Sequence, residues 1–584
     1  MDLEGGVNML KDCIEIFKKQ YDEKGDKLIT DNYILSEGSY ILVDESGNIS
    51  KFIEVGKKDF DRIQCSDFIE IDYLSKLIDM NKPIDGKKVI HSNNIFSFWL
   101  KKDSIRPDSK GNVKLSEDII DNYYKILANP RLKYTKKKSL ELYEELERSL
   151  GEPNIDKLNK NKQWIKENIY DIIDRQGLKN DKSYLKIFFE ADIEEYKAES
   201  KRYIIPNIYN STDYNLVLNE EIYGLPNDNM GLNSKKPYLE NKSRKNTIPY
   251  LISTDEVNLQ KKFTDYLYNA ACDGKTNVYV SEEKVKAYKN DENIDESFNG
   301  YFLRIKKGKE VEIHDFDIIT KFNPNIKAIE LKQVVPVNKV LIKNAKEPLA
   351  YEKITKLKDV KAIINNIFFK KFLVSNYFSD AKDIRLNDFR VKEELLKCRN
   401  GFFCWFYKGD STVIKAIFPK SSLNLIKNSI INGEMARAID QFNVRSALIG
   451  YFKGGEDMAD KLKTLNDKLR VKINDKNTGF IESDDEYFFA VGQVVNYLLS
   501  LNKSSKKTHS MVNPILNCKS SEKLKVEIEK IFRKYNYAID RNNKRFNNLS
   551  AMVLGYEAEG NINEDILVAG YLYSNLIYEK KEEN

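Results

Sequence analysis

Histidine, cysteine and glycine are scarce in this chain, and each scarcity removes a class of function. Only three histidines occur in 584 residues. His91, His314 and His509 are too far apart in sequence to suggest a multi-histidine metal centre. His314-Asp315 has the form of a phosphohydrolase pair, but no second histidine stands nearby, and a histidine on a β-hairpin is the plainer reading. The six cysteines, Cys13, Cys65, Cys272, Cys398, Cys404 and Cys518, contain no C-x-x-C knuckle and no dense disulfide framework. That usage fits a reducing cytoplasm. With 26 glycines in all, the chain has no G-x-G-x-x-G and no nucleophile elbow. Gly274-Lys275-Thr276 looks like the end of a phosphate loop, yet Asn269 stands where that motif needs glycine. No stretch of about 18 apolar residues occurs, and MDLEGGVNMLKDCIEIFKKQ has acidic residues and no apolar h-region. The expectation is a cytoplasmic protein without a membrane partner and, since no active-site signature assembles, a protein that is not an enzyme and carries no cofactor or metal. Its many carboxylates lie in mixed charge patterns that suit solvated helix faces.

What is present is length, apolar content and balanced charge. At about 150 residues per domain, 584 residues suggest two to four domains, and 41% hydrophobic residues supply their cores. Lysine and arginine total 96 against 90 acids, a net charge of +6, so any nucleic-acid surface must be local. Abundant lysine, asparagine and isoleucine together lower the weight of any single basic run.

The segment from Leu10 has helical spacing at Leu10, Ile14, Phe17 and Tyr21, and YILVDESGNISKFIEVG reads as a hairpin. From Ser116 to about Asp174 the pattern is helical, broken at Gly151-Glu152-Pro153. The β-rich runs in 184–206 are read as opening a second region, followed by strands at TNVYV, GYFLRI, EVEIHDF and VVPVNKVLI. Amphipathic helical segments take over after Tyr351, and GFFCWFYKGD, 401–410, reads as a buried aromatic segment or domain junction. The fold class is therefore α+β and multidomain, a mixed α/β N-terminal region followed by a C-terminal all-α helical bundle. Its parts are read as 9–350, a connecting region 351–457 and a bundle 458–584. In the bundle, Met458, Leu462, Leu465 and Leu469 form one stripe; Ser483 and Glu486 form a capping box ahead of Phe488, Val491, Val495 and Leu498. Leu524, Ile528, Ile531, Phe532 and Tyr535 point inward on a third helix, Phe546, Leu549, Met552 and Tyr556 suggest a fourth, and Ile566, Ala569, Leu572 and Leu576 a last.

Three stretches have the composition of nucleic-acid contacts. NDNMGLNSKKPYLENKSRKNTIP, 227–249, places Lys235, Lys236, Lys242, Arg244 and Lys245 for phosphates, with Asn233 among the asparagines able to meet base edges or sugars. An ordinary exposed loop in a lysine-rich chain explains the same residues equally well. In HSNNIFSFWLKK, Asn93 and Asn94 precede Phe96, Phe98 and Trp99; a base-stacking platform is conceivable, but the alternation favours a strand with one face in the core. In the bundle, Lys503, Lys506, Lys507 and His509 end one helix, and Arg533, Lys534, Arg541, Lys544 and Arg545 lie at a neighbouring turn. Such a patch suits sequence-independent strand contact. It would also offset helix dipoles without any ligand.

Read together, MLKDCIEIFKKQ, KKVIHSNNIFSFWLKK, MGLNSKKPYLENKSRK, DEYFFAVGQVVNYLLSLNKSSKKTHSMVNPILN and FNNLSAMVLGYE resemble the large subunit of the type I-B CRISPR interference complex (Cascade), the CRISPR-associated family eight, subtype b. None of these is a catalytic signature; an extended pattern through most of the chain carries the likeness. The resemblance implies a non-catalytic part of an RNA-guided DNA surveillance complex in antiviral defence. Such a subunit finds the protospacer-adjacent motif (PAM), separates the strands, stabilises the displaced strand of the R-loop and helps recruit a helicase-nuclease, while guide pairing reads the remaining sequence. The implied partners are guide CRISPR RNA, double-stranded target DNA, the displaced single strand, the helicase-nuclease, and the backbone, handle-binding and small subunits of the complex. The 9–350 region would recognise the PAM and dock the guide handle. A metal-dependent nuclease or nucleotide-processing enzyme, and a purely structural scaffold, are the alternatives.

EGGVNM and KGGEDM each place a Gly-Gly pair just ahead of a methionine. Codons for Lys-Gly-Gly or Glu-Gly-Gly can spell the purine-rich sequence that bacterial ribosomes pair with before a start codon. The reading is that Met9 is the natural initiator, with 1–8 upstream, and that Met458 is an internal start whose product is the bundle, as families of this kind make a small subunit. The alternative is that Gly454-Gly455 ends one helix and Glu456-Asp457 begins the next.

Overall fold

The turn that begins the first sheet is written in Asp44-Glu45-Ser46-Gly47. Gly47 takes φ +86°, a left-handed conformation that costs glycine little, and Asp44 Oδ1 accepts from the Asn48 amide at 2.8 Å. The hairpin so formed is β1 (Gly38–Val43) and β2 (Ile49–Val55). The protein is described by a computed structural model covering residues 8–56, 60–107, 111–178, 181–219, 221–227, 251–308, 310–337, 348–454, 458–475, 479–502 and 510–579. It is α+β, mixed in its N-terminal part and helical in its C-terminal part.

Two further strands, β3 (Ser97–Lys101) and β4 (Tyr184–Phe189), complete a sheet of order β2-β1-β4-β3, in which only the β1–β4 pair is parallel. The run at 184–206 therefore does not open a second region. Leu185, Lys186, Ile187 and Phe188 are all buried, and a strand buried on both faces belongs in the middle of a sheet. The rest of that run is the helix Ile193–Ile204, started by a capping box of Asp192 and Glu195. Helices at Glu117–Ala128, Lys137–Leu150 and Ile155–Asn168 follow the expected pattern, with Gly151 at φ +76° ending the second. A small antiparallel sheet comprises β5 (Leu216–Leu218), β6 (Glu221–Gly224) and β7 (Ile252–Ser253). A third set, β8 (Asn277–Val280), β9 (Val285–Tyr288), β10 (Phe298–Lys307) and β11 (Val311–Phe322), has the order β11-β10-β8-β9. His314 lies on β11, 3.0 Å from Glu312, as a hairpin histidine. Gly274, at φ +77°, turns the helix Thr254–Cys272 into β8, and the Lys275 amide donates back to Ala270; this is a helix exit, not a phosphate loop.

The chain divides into two compact units, Met1–Lys289 with Gly300–Ile318, and Asn290–Asn299 with Ile319–Asn584. Inside the first unit, Lys186 on β4 pairs with Asp72 at 2.6 Å and lies 3.9 Å over the Trp99 ring, while Tyr33 donates to the same carboxylate at 2.5 Å. Asn93 and Asn94 are also spent inside, at 1% and 0% exposure. Asn93 Nδ2 donates to the carbonyls of Leu74 and Lys76, and Asn94 Oδ1 accepts from the Phe96 amide and the Ser97 hydroxyl. They fasten the lead-in of β3 to a neighbouring turn and are not presented to a nucleic acid, which corrects their reading as contacts. Phe96, Phe98 and Trp99 are buried with them.

In the second unit β12 (Asn325–Glu330) pairs with β13 (Lys353–Lys356). No strand forms at 334–337; the Val335 backbone N–H instead donates to Asn443 Oδ1 and its carbonyl accepts from Asn443 Nδ2, and 338–347 lie outside the described residues. The segment 401–410 is buried as expected, with Phe402, Phe403, Trp405, Phe406 and Tyr407 all covered.

Helices Met458–Asn474, Asp484–Ser500, Ser521–Tyr535, Lys544–Gly555 and Glu564–Leu572 form the bundle. Asp484–Ser500 is buried almost all round, from Tyr487 through Val495, so it is the central helix and not one with a single apolar face. At its N-terminus the Ser483 hydroxyl accepts from the Glu486 amide, but the Glu486 carboxylate accepts from Glu482, so the capping box is only half formed. Gly492 and Gly570 mark where it crosses Glu564–Leu572: a Cβ on Gly492 would run into Tyr571 N and Leu567 O, and one on Gly570 into Phe489 O. The bundle core is continuous with Leu423, Ile426 and Ile430 of the helix Thr412–Ile431 and with Ala438, Ile439 and Phe442 of Met435–Lys453. Lys427–Glu564 (2.7 Å) and Arg445–Asp565 (3.1 Å) tie the same parts, so packing continues across the expected boundary at 458. Gly454 has φ +67° and donates to Gly450, closing the helix before it; 455–457 lie outside the described residues.

Candidate nucleic-acid interface

The helix Ser521–Tyr535 begins at Ser520, whose hydroxyl accepts from the Lys523 amide at 3.4 Å. Leu524, Ile528, Ile531 and Tyr535 face the core. Phe532, expected among them, is 42% exposed, because it falls one position beyond the inward stripe. The helix closes in a short turn, Asn536–Ala538, that leaves Tyr537 71% exposed. Asn543 then caps Lys544–Gly555, its side chain accepting from the Phe546 amide at 3.1 Å. The connection between these helices thus carries Phe532, Arg533, Lys534, Tyr537, Arg541 and Lys544 on exposed positions.

The cations there are not equivalent. Arg533 reaches Glu529 at 3.3 Å yet keeps 80% of its side chain exposed, and an exposed pair of this kind is worth little. Arg541 and Lys544 make no ion pair among the described residues. Lys534 Nζ lies 3.0 Å from Met511 Sδ, and the Tyr535 hydroxyl donates to the same sulfur at 3.4 Å. Segment 510–512 is therefore held at the end of this helix. The preceding 503–509, with Lys503, Lys506, Lys507 and His509, lies outside the described residues. Arg545 differs: its Nε donates to Asn474 Oδ1 at 2.7 Å and its guanidinium to the carbonyls of Leu576 and Glu579. It fastens three segments of the bundle together through its Nε and one terminal nitrogen.

The acids that open the central helix are engaged within the bundle, whereas Asp540 is exposed in the connection itself. Asp485 pairs with Lys461 at 2.6 Å, Glu486 with Lys472 at 2.7 Å, and Asp484 accepts from Tyr556 and from the Gly560 amide. Exposed cations interleaved with exposed aromatics can hold a nucleic-acid strand by phosphate contact and base stacking without reading sequence. Sequence reasoning named the cations and missed Tyr537, whose exposure follows from a turn that helical periodicity does not register.

Asn233, Lys235, Lys236, Lys242, Arg244 and Lys245 lie in 228–250, outside the described residues. Among the described residues no group of three or more histidine, cysteine, aspartate or glutamate side chains is placed to hold a metal ion, and no helix is long and apolar enough to cross a membrane. Compared with protein-family models, with curated proteins and with solved structures, the chain matches none.

Proposed function

We propose that this chain is a non-catalytic large subunit of an RNA-guided DNA surveillance complex of the type I-B Cascade kind, acting in the cytoplasm. In this reading the N-terminal α+β region recognises the PAM and docks the guide handle, and 228–250 supplies Asn233 near bases and Lys235, Lys236, Lys242, Arg244 and Lys245 on phosphates. The bundle stabilises the displaced strand, other subunits and a helicase-nuclease complete the assembly, and Met458 starts a separate small subunit. The observation that carries the reading is the exposed run Phe532, Arg533, Lys534, Tyr537, Arg541 and Lys544, a strand-binding composition at a helix-to-helix connection.

The test is binding of fluorescent single-stranded DNA to the full chain over a series of salt concentrations. Each single-strand phosphate contact adds about 0.7 to the log–log salt slope. Reversing Arg533, Lys534 and Arg541 should flatten that slope by about 2. An unchanged slope rejects the bundle as the strand contact. Divalent-metal-dependent cleavage of the DNA, abolished by one Asp or Glu change, would favour the nuclease alternative instead.

A further inference from the structure

Residues Asn290–Asn299 belong to the second unit, although the chain on both sides of them belongs to the first. Within the second unit they are therefore held by non-covalent contacts. From 290 to 297 the chain forms neither helix nor strand. Beneath 292–295 lies a cavity of about 200 Å³, room for several water molecules. Its other walls are the start of the helix Leu357–Ile367, the junction of β11 and β12 at Pro324, and Phe406 with Tyr407.

Lys361, on that helix, ties the loop down. It is 6% exposed, and its side-chain nitrogen donates to the carbonyls of Asn290 at 3.3 Å and Glu292 at 3.2 Å and to the Tyr407 hydroxyl at 3.4 Å. Tyr407 in turn donates to the Asn290 carbonyl. All three acceptors of Lys361 are neutral. The ionisable groups around it are Asp291, Glu292 and Asp295 on the loop, Lys356 and Lys358 at the helix start, and Tyr407. Asp295 is taken by Lys358 at 3.2 Å, an exposed pair that holds weakly. Asp291 attracts the ammonium without offsetting its burial, which pushes the lysine down from 10.5 to about 8. We propose that 290–295 is a releasable strap over this cavity, locked by Lys361 on the Asn290 and Glu292 carbonyls and opened when that nitrogen carries its charge out to solvent. A released lysine keeps its proton to higher pH than the buried one, so protonation favours the open strap, and proton loss above about pH 8 favours the closed one. The proposal does not depend on nucleic-acid binding by either unit.

The test is cleavage of the full chain by a glutamyl endopeptidase from pH 7.5 to pH 9, with cut sites assigned by mass. Each rate is divided by that of an unstructured peptide spanning 288–300 at the same pH. Glu292 and Glu296 have exposed side chains, but the bond after Glu292 can enter a protease only when its carbonyl leaves Lys361. Cutting at these two sites should slow about fivefold or more from pH 7.5 to pH 9. Lys361→Arg, charged throughout, should be cut at a rate that does not change with pH and is at least that of the parent at pH 7.5. Lys361→Met should also lose the pH dependence. A parent rate that does not fall with pH, the same fall in folded Lys361→Met, or no cutting at either site in the folded chain overturns the proposal. So does cutting there only in step with Glu394, which is buried on the helix Phe389–Phe403 and reports unfolding of the whole unit.

Discussion

The first unit and the C-terminal bundle solve the problem of a core differently. The first threads ionised groups through its interior: Asp72 with Lys186 and Tyr33, and Glu199 with Arg202 at 3.1 Å, all buried. The helical bundle instead packs Leu462, Leu469, Phe488, Val491, Leu524 and Leu549 with helix backbones brought together at Gly492 and Gly570, and leaves most of its charge outside. A polar interior is costly unless fully paired. An apolar interior makes a rigid support whose chemistry is confined to its surface.

The largest effect should come from breaking one partner of the buried ion network. Lys186→Met strands Asp72 and should cost about 3–5 kcal/mol, while pairing it with Asp72→Leu should recover much of that loss. Denaturant titrations of both variants check this; equal loss in single and double variants would show that charge pairing is not what matters there. In the bundle the equivalent weak point is steric. Gly570→Val forces side-chain atoms into Phe489 backbone and should cost about 3 kcal/mol, read as a lower unfolding midpoint of the second unit.

A smaller effect separates two kinds of surface residue. Tyr537→Ala should weaken single-strand binding by about 1–3 kcal/mol with unchanged stability, whereas Arg545→Ala should lower stability, since it removes donors to Asn474, Leu576 and Glu579. Denaturation curves beside binding isotherms tell the two apart. The smallest effect concerns Lys361 in the second unit, whose pKa burial lowers from 10.5 to about 8. Between those values the unfolded chain holds more protons, so this residue's contribution to stability rises with pH. Lys361→Met should therefore gain less stability than the parent from pH 8 to pH 10, measured by denaturant midpoint.

Much of the fold was legible where local chemistry decides it. The DESGN turn announced the β1–β2 hairpin, and the stripes at Leu462, Leu465 and Leu469 or at Leu524, Ile528 and Ile531 announced bundle helices. Placement was not legible. β4 is a continuous buried run that looks the same at the start of a new sheet as in the middle of an old one, and only its pairing with β1 and β3 decides. Asn93 and Asn94 have the composition of a base reader, yet backbone carbonyls and amides absent from any sequence pattern claim them. The cavity under 292–295 gathers side chains from Glu292 to Tyr407, a span over which no spacing rule operates. Continuity of the bundle core through Leu423 and Phe442 was likewise invisible, because KGGEDM reads equally as a boundary and as a helix end.

The central claim, a guide-RNA-bound large subunit, is tested most directly by expressing the gene with its native codons and neighbouring genes, tagged at the C-terminus. Everything the tag retains is then weighed by intact mass, and any RNA is sequenced. The account predicts the full chain, a fragment beginning at Met458 and a repeat-derived guide RNA. Full-length chain alone, with neither RNA nor fragment, would contradict it.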